Sequence, residues 1–175
     1  MEGRGDGAVT PEIRAYQDAD HDACRALWVE LTERHRLIYD DPTIGGDDPG
    51  AYLDTYLATP ERVGSWVAVQ EGETVGLTGL FVRGDSAEVE PVVVTERLRG
   101  QGIGQALLDA MIDEARSRGL PSLSIRPVAR NVEAIALFWR AGFRTMGHLD
   151  LFLDLVDRDY TWRDGLDVHG LPVRY

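Results

Sequence analysis

The chain has 175 residues, 43% of them hydrophobic, and a formal net charge of −12. This length supports one domain with a full core and argues against two independent cores. The acidic balance argues against a nucleic-acid-binding module, because such a module needs a cationic face to neutralise phosphates.

The N-terminal residues 1–10 are rich in glycine and charge and contain no apolar run. They predict a flexible tail that is neither a signal peptide nor a membrane span. Cys24 is the single cysteine, which excludes an internal disulfide and fits a reducing compartment, and no pattern of metal ligands is present. We therefore expect a cytoplasmic protein without a metal site. The predicted domain covers residues 11–155, and residues 156–175 form an extension packed on it.

The first half of the chain predicts a strand, two helices and three strands. A strand at 13–17 leads into a helix that Asp18 or Asp20 can cap and that continues to about Ile38. A loop at 39–50, punctuated by Pro and Gly, separates it from a short helix. The remaining predicted elements of this half are the helix at 51–58 and the strands at 64–70, 74–83 and 87–94.

The second half predicts two further helices and three further strands. Helical periodicity extends over 102–118 and again from an Asn131 cap to Ala141, with Gly119 and Gly142 as stop signals. The predicted strands are 123–127, 143–147 and 148–155. This order indicates a mixed α/β domain whose first half is largely antiparallel.

The most informative segment follows the strand at 87–94. It reads Arg99-Gly100-Gln101-Gly102-Ile103-Gly104-Gln105 and opens directly into a helix. Backbone N–H groups at a helix N-terminus bind anions, the glycines let a pyrophosphate approach the backbone, and Arg99 adds a cationic donor.

Two common phosphate-binding motifs do not fit this segment. A Walker loop requires lysine, and all eighteen basic residues of the chain are arginine. A dinucleotide fingerprint needs a third glycine where Gln105 stands, and the preceding strands look linked by hairpins. The remaining pattern, Arg-x-x-Gly-x-Gly at 99–104, resembles the pyrophosphate-binding motif of the GNAT N-acetyltransferase superfamily.

A second motif strengthens the resemblance. About thirty residues later come Asn131, Ala134, Leu137-Phe138 and Gly142-Phe143, similar to the family's Asn, Ala, Leu-Tyr and Gly-Phe. Together with the order of elements, the resemblance covers roughly residues 13–155. It implies the GNAT fold, an α+β domain in which about four helices flank a mixed, mostly antiparallel sheet of six to seven strands.

The resemblance implies acetyl-CoA as co-substrate and assigns its contacts. Backbone groups of Val92, Val93 and Val94 would hold the pantetheine arm and the thioester carbonyl, where a fixed N–H stabilises developing negative charge. Asn131 would contact the pantetheine arm or would act only as a helix cap. The pyrophosphate would lie on Arg99 and on the amides of Gly100, Gln101, Gly102, Ile103, Gly104 and Gln105.

Glu88 and Glu90 are the candidates for a general base. Their spacing on a strand predicts that both project from one face, the face that continues into Val92 and Val94. A carboxylate assists because an alkylamine is mostly protonated at neutral pH. Glu90 is the first choice because it is nearer the expected thioester, and the alternative is a half-solvated strand with charges facing outward.

Phe138 stands where many family members carry a tyrosine that protonates the departing thiolate. A phenyl ring donates no proton, so Phe138 is expected to pack in the core or against CoA. This departure leaves two hypotheses. The first is an N-acetyltransferase that transfers acetyl directly to a primary amine of a small molecule or peptide, and the second is a non-catalytic domain that binds acyl-CoA.

The acceptor is suggested by the acidic loop between the first two helices, which contains Asp40, Asp41, Asp47 and Asp48. A focused negative field would attract a cationic acceptor, although such a loop is also typical of a solvated surface. No nucleic-acid or membrane partner is expected. The aromatic tail from Tyr160 to Tyr175 would cover an edge strand or a partner in a homodimer.

Overall fold

A computed structural model describes residues 10–155 and 162–175. The N-terminal tail predicted over residues 1–10 therefore lies outside the described residues except for Thr10. Residues 156–161 of the predicted C-terminal extension also lie outside them.

The described elements follow the predicted order as far as residue 141. The helices are α1 (His21–Tyr39), α2 (Tyr52–Leu57), α3 (Ile103–Ser117) and α4 (Val132–Ala141). The strands are β1 (Glu12–Ala15), β2 (Arg62–Gln70), β3 (Glu73–Arg83), β4 (Ser86–Val94), β5 (Leu123–Ile125), β6 (Leu166–Val168) and β7 (Leu171–Val173).

The first five strands form one mixed, mostly antiparallel sheet in the order β1-β2-β3-β4-β5. Strands β1 to β4 pair antiparallel, and β5 pairs parallel with β4 after the crossover through α3. The strands β6 and β7 form a separate antiparallel hairpin. The predicted mixed fold is confirmed, with five strands in the main sheet rather than six or seven.

The two closing strands predicted over residues 143–147 and 148–155 are wrong, because these residues form no strand. The segment 148–155 alternates apolar and polar residues except at Phe152, yet its apolar side chains are exposed, among them Leu151 and Leu153. Alternation predicts a strand only where a neighbouring strand completes the hydrogen bonds. Here the adjacent strand β5 is three residues long and offers few backbone partners.

The core lies on both faces of the main sheet. On one face, α1 and α2 cover a cluster that includes Cys24, Leu27, Tyr56 and Phe81. On the other face, α3 and α4 cover two clusters that include Leu80, Leu107, Leu108, Met111 and Phe138. The sheet therefore separates an α1/α2 face from an α3/α4 face, and the candidate site uses both.

A buried carboxylate joins the start of α1 to the sheet. Asp20 accepts two hydrogen bonds from the Arg14 guanidinium of β1, at 2.7 and 2.8 Å. It also accepts from the Gln17 backbone N–H and from the Thr74 hydroxyl of β3, each at 2.8 Å. These contacts, the Arg14 pair foremost, lower the pKa of Asp20 to about 2 although burial opposes the shift.

Candidate active site

A β-bulge interrupts the pairing of β4 with β3. The register shifts between Thr78 and Leu80, so that two β4 residues, Glu90 and Pro91, lie opposite the single β3 residue Gly79. Proline has no backbone N–H to donate, and within an inner strand it is found at such bulges. Beyond the bulge, regular pairing of β4 with β3 resumes at Val92 and continues to Val94.

The bulge reverses which side chains of β4 face which helices. Val89 before it and Val92 and Val94 after it all pack on the α3/α4 face, whereas Val93 packs against α1 and α2. Glu88 therefore shares its face with Val93. The prediction that the face of the two glutamates continues into Val92 and Val94 is wrong, because an extra residue in the strand shifts the alternation by one.

The edge of β4 that faces β5 is open beyond the bulge. The two strands pair only where Ala87, Glu88 and Val89 meet Leu123, Ser124 and Ile125. Within the described residues no strand pairs with Val92–Val94 on that side. Their backbone groups that point away from β3 can therefore bind an extended ligand such as a pantetheine arm.

The glycine-rich turn lies immediately beyond this open edge. Gly100 (φ 78°) and Gly102 (φ 87°) adopt left-handed conformations, and no atom lies within 4 Å of where their Cβ atoms would stand. The first bond of α3 runs from the Ala106 N–H to the Gly102 carbonyl at 3.0 Å, so the amides before Ala106 have no helical acceptor. Open space and free amides at the positive end of a helix fit a diphosphate.

The other predicted members of this turn have different roles. The Arg99 Nε donates to the Val94 carbonyl at 3.1 Å, which fixes its guanidinium at the end of β4. The Ile103 side chain is buried, so only its backbone can meet a ligand. A Cβ on Gly104 would stand 3.0 Å from Leu137 Cδ2, which makes close packing of α3 and α4 the reason for that glycine.

Glu30 of α1 supports the turn, and sequence analysis missed it. Its carboxylate accepts from the Thr95 hydroxyl at 2.9 Å and from the Glu96 backbone N–H at 2.7 Å. One of its oxygens also lies 3.9 Å from the Arg99 Nη2. Glu30 thereby holds the segment that joins β4 to α3, although it stands 65 residues earlier in the chain.

The two candidate bases have unlike surroundings. Glu88 is 7% exposed and lies between two guanidinium groups, with Arg83 and Arg126 each 3.3 Å from one of its oxygens. Glu90 is exposed at the bulge and forms no ion pair among the described residues. The surrounding sheet still removes part of the water around its carboxylate, and this desolvation and, next, the charge of Glu88 raise the pKa of Glu90, while the two arginines oppose the shift.

Tyr56 of α2 is a second residue that sequence analysis missed. Its hydroxyl lies 2.8 Å from the Ser65 Oγ, and a Cβ on Gly79 would stand only 1.8 Å from it. The phenol therefore fills the space above the residue opposite the bulge. Burial, the largest effect, raises the pKa of Tyr56 to about 12, so the hydroxyl is neutral at physiological pH.

Asn131 and Phe138 both have structural roles in α4. The Asn131 Oδ1 accepts from the Ala134 backbone N–H at 3.2 Å, which confirms the predicted helix cap. The Phe138 ring is buried against Leu108 and Met111. The Phe143 ring packs edge-on against it, with 6.5 Å between the two ring centroids. Phe138 is thus a core residue, and contact of either residue with CoA stays a prediction.

Two of the four aspartates in the loop after α1 have partners within the protein. Asp41 accepts from the backbone N–H and the hydroxyl of Thr43, at 2.8 and 2.6 Å. Asp48 pairs with Arg25 of α1 at 2.5 Å. Of these two aspartates only Asp48 has a cationic partner among the described residues, because Thr43 is neutral and leaves the charge of Asp41 in place.

No helix within residues 10–155 and 162–175 has the length and apolar character needed to cross a membrane. The same residues contain no group of three or more His, Cys, Asp or Glu side chains placed to hold a metal ion.

An open strand edge that leads into a glycine-rich helix N-terminus fits an acyltransferase that uses a coenzyme A thioester. The chain belongs to the acetyltransferase (GNAT) family, whose sequence profile matches residues 16–143. Its reaction class is therefore acetyl transfer from acetyl-CoA.

The chain is similar to several known N-acetyltransferases. It is 27% identical over 118 residues to the [ribosomal protein bS18]-alanine N-acetyltransferase of Salmonella typhimurium, covering 67% of this chain and 72% of that protein. The ribosomal-protein-alanine N-acetyltransferase of Brucella melitensis superposes with a TM-score of 0.63 at 28% identity, over 78% of this chain and 86% of that one.

An aminoglycoside N-acetyltransferase in complex with CoA superposes with a TM-score of 0.64 at 17% identity, over 89% of this chain and 100% of that one, which shows a shared fold. The chain spans less than two thirds of the length of several other curated relatives.

Proposed function

We propose that this protein transfers the acetyl group of acetyl-CoA to a primary amine of a small molecule or peptide while both substrates are bound. The observation that supports this most directly is the bulge at Glu90 and Pro91. It opens the edge of β4 next to the turn whose amides are free, so a thioester and a diphosphate can be held by consecutive stretches of backbone.

Backbone groups would provide most of the binding to the co-substrate. The amides between Gly102 and Gln105, with Arg99, would hold the diphosphate. Val92–Val94 would hold the pantetheine arm, and an N–H of this stretch would stabilise negative charge on the thioester oxygen. Asn131 caps α4 through its oxygen, which leaves its NH₂ group to donate to the pantetheine arm.

Glu90 is the proposed base. The amine nitrogen attacks the thioester carbon, the C–N bond forms and the C–S bond breaks, and a proton from nitrogen passes to Glu90 directly or through water. A raised pKa makes a carboxylate a better proton acceptor near neutral pH. Glu88 is a weaker candidate because its two oxygens are each paired with an arginine.

The departing thiolate needs no donor from Phe138. A thiol has a pKa of about 8.5, so it leaves acceptably without general-acid help. The absence of a hydroxyl at this position still supports a second candidate function, a domain that binds acyl-CoA without catalysis.

A thiol-release assay separates the two functions. The purified protein is given acetyl-CoA and a panel of amines that includes amino acids, a peptide N-terminus, an aminoglycoside and a polyamine. Release above the rate of hydrolysis with any amine, together with an acetylated product by mass spectrometry, supports the enzyme. Calorimetric binding of CoA without release supports the binding domain, and no binding of CoA contradicts both.

A further inference from the structure

Two arginines flank Glu88 on the α1/α2 face of the sheet. Arg83 ends β3, Glu88 lies in β4 and Arg126 directly follows β5, so the three residues lie across adjacent strands. Phe81 is the partner of Glu88 on β3, and the Arg83 guanidinium lies over its ring at 5.6 Å from the centroid. Packing against Phe81 and pairing with Glu88 hold Arg83 in place.

The charges of this cluster do not balance. Glu88 is 7% exposed, whereas the side chains of Arg83 and Arg126 are 52% and 76% exposed. In the part of the chain that the structure describes, Glu88 is the one ion-pair partner of either guanidinium, and each contact is 3.3 Å long. One buried negative charge thus orders two positive groups whose remaining N–H donors face solvent.

The cluster lies beside the proposed base. Glu90 follows Glu88 by two residues, and a strand rises by roughly 3.3 Å per residue, which separates the two positions by roughly 7 Å. When the amine of an acceptor donates its proton to Glu90, the two guanidinium groups therefore lie within reach of another group of the same small molecule. That spacing fits a compound with an anionic group a few bonds from its amine.

We propose that the acceptor carries a carboxylate close to its reactive amine, as an amino acid does, and that Arg83 and Arg126 bind this carboxylate. The inference rests on the proposed N-acetyltransferase function and names its class of acceptor. A guanidinium group matches a carboxylate geometrically, and because Glu90 adds a second negative charge near the two arginines, a monoanion fits this site better than a doubly charged phosphate.

The test compares matched pairs of acceptors, namely amino acids and their carboxamides. For the unmodified protein, kcat/KM should favour the acid, and Arg126→Gln should reduce the acid-to-amide ratio by roughly 10- to 100-fold, the effect of a lost hydrogen bond to a charged group. Arg83→Gln should act in the same direction. Comparing ratios between variants cancels the difference in amine basicity, and KM for acetyl-CoA should stay unchanged.

Arg116→Gln is the matched control, because Arg116 is equally exposed at 75% and pairs with Asp113 of α3, away from the cluster. It should leave the ratio unchanged. An unchanged ratio in both Arg126→Gln and Arg83→Gln would overturn this inference while acetylation of amines continued. Acetylation of no amine at all would overturn the proposed function as well.

Discussion

Glu88 and Glu90 lie in the same strand, but their different surroundings give them different chemical roles. Glu88 is buried between two arginines and orders them, whereas Glu90 stands at the bulge without an ion pair among the described residues. The charge of Glu88 also adds to the rise in the pKa of Glu90. The two residues thus act together, one as the proposed base and the other as a neighbour that tunes it.

Replacement of Glu90 tests the base. Glu90→Gln should lower kcat by about 10²-fold or more, the contribution of a positioned general base. Because the pKa of Glu90 is raised above the ordinary 4.5, the activity of the unmodified protein should fall as the pH drops through a midpoint above that value. A pH profile of kcat/KM for the variant should lack this fall.

Glu88→Gln is the companion variant, and its predicted effect differs in kind. Loss of the negative charge beside Glu90 should lower the pKa of Glu90, so the acid limb of the pH profile should move to lower pH. The assignment of the base fails if both variants keep the rate and the pH profile of the unmodified protein.

The sequence contained a signal for the bulge that periodicity alone did not reveal. Pro91 lies in a strand with partners on both sides, and a proline there indicates a bulge rather than regular pairing. Strict alternation instead predicted that Glu88, Val92 and Val94 share one face. Glu30 and Tyr56 left no comparable signal, because their partners lie in other elements and only the folded chain brings them together.

At the scale of elements, the glycines at the two ends of α3 provide a matched pair of variants that tests whether the start of this helix binds CoA. Gly102 and Gly119 flank the helix, both have positive φ, and both have open space around the missing Cβ. Gly102→Ala and Gly119→Ala should each cost about 1–2 kcal/mol of stability, because a left-handed conformation disfavours a Cβ. Only Gly102→Ala should weaken CoA binding, on the order of tenfold.

Calorimetric titration of CoA into both variants measures this difference, and urea unfolding checks that their stabilities match. Equal CoA affinities in the two variants would show that the turn does not bind the diphosphate. The comparison works because both substitutions impose the same backbone strain.

The junction of α1 with the sheet predicts a dependence of stability on pH. Asp20 has a pKa of about 2 in the folded protein against an ordinary 3.8, a difference equivalent to about 2 kcal/mol. Since the folded pKa is depressed, this stabilisation is present above pH 3.8 and is lost as the pH falls towards 2. Asp20→Asn should therefore lower the free energy of unfolding by about 2 kcal/mol at pH 7.

Urea denaturation over a range of pH provides the measurement. The gap between Asp20→Asn and the unmodified protein should narrow as the pH falls below 3.8, whereas Asp18→Asn, at an exposed position, should behave like the unmodified protein throughout. A gap that stays constant with pH would contradict the role given to the Asp20 carboxylate.

The elements themselves were predictable where local pattern and long-range pairing agree. Helices α1, α3 and α4 begin and end within about two residues of their predicted bounds, because their apolar stripes, caps and glycine stops are local. Residues 148–155 fail this condition, since the alternation of Leu149, Leu151 and Leu153 is present but a partner strand is not. A strand forms only when two segments pair, so the sequence of one segment alone does not determine whether it becomes a strand.

At the scale of the whole molecule, a single thiol reports on the integrity of the fold. Cys24 is completely buried in the cluster beneath α1, and burial raises the pKa of its thiol to about 12. Thiol reagents react with the thiolate, so the native protein should react at least about 10³-fold more slowly than the unfolded chain. Labelling with Ellman's reagent, with and without urea, measures the ratio.

In urea one thiol per chain should react, because the sequence contains one cysteine. Rapid labelling of the native protein would contradict the described packing of α1. The burial of Cys24 should also keep its thiol from contributing to the thiol-release assay, and it supports direct transfer of the acetyl group over an acyl-cysteine route. The cytoplasmic location and the homodimer stay predictions.

The contact between Tyr56 and Gly79 joins helix α2 to strand β3 at the residue opposite the bulge. Because the phenol occupies the volume that any larger residue at position 79 would need, the height of α2 above β3 is set by one atom beside the bulge. A residue larger than glycine at position 79 therefore requires α2 to move away from β3, and that movement would remove the packing above the bulge that interrupts the pairing of β4. The position of α2 and the shape of the strand edge beyond the bulge are in this way mechanically linked.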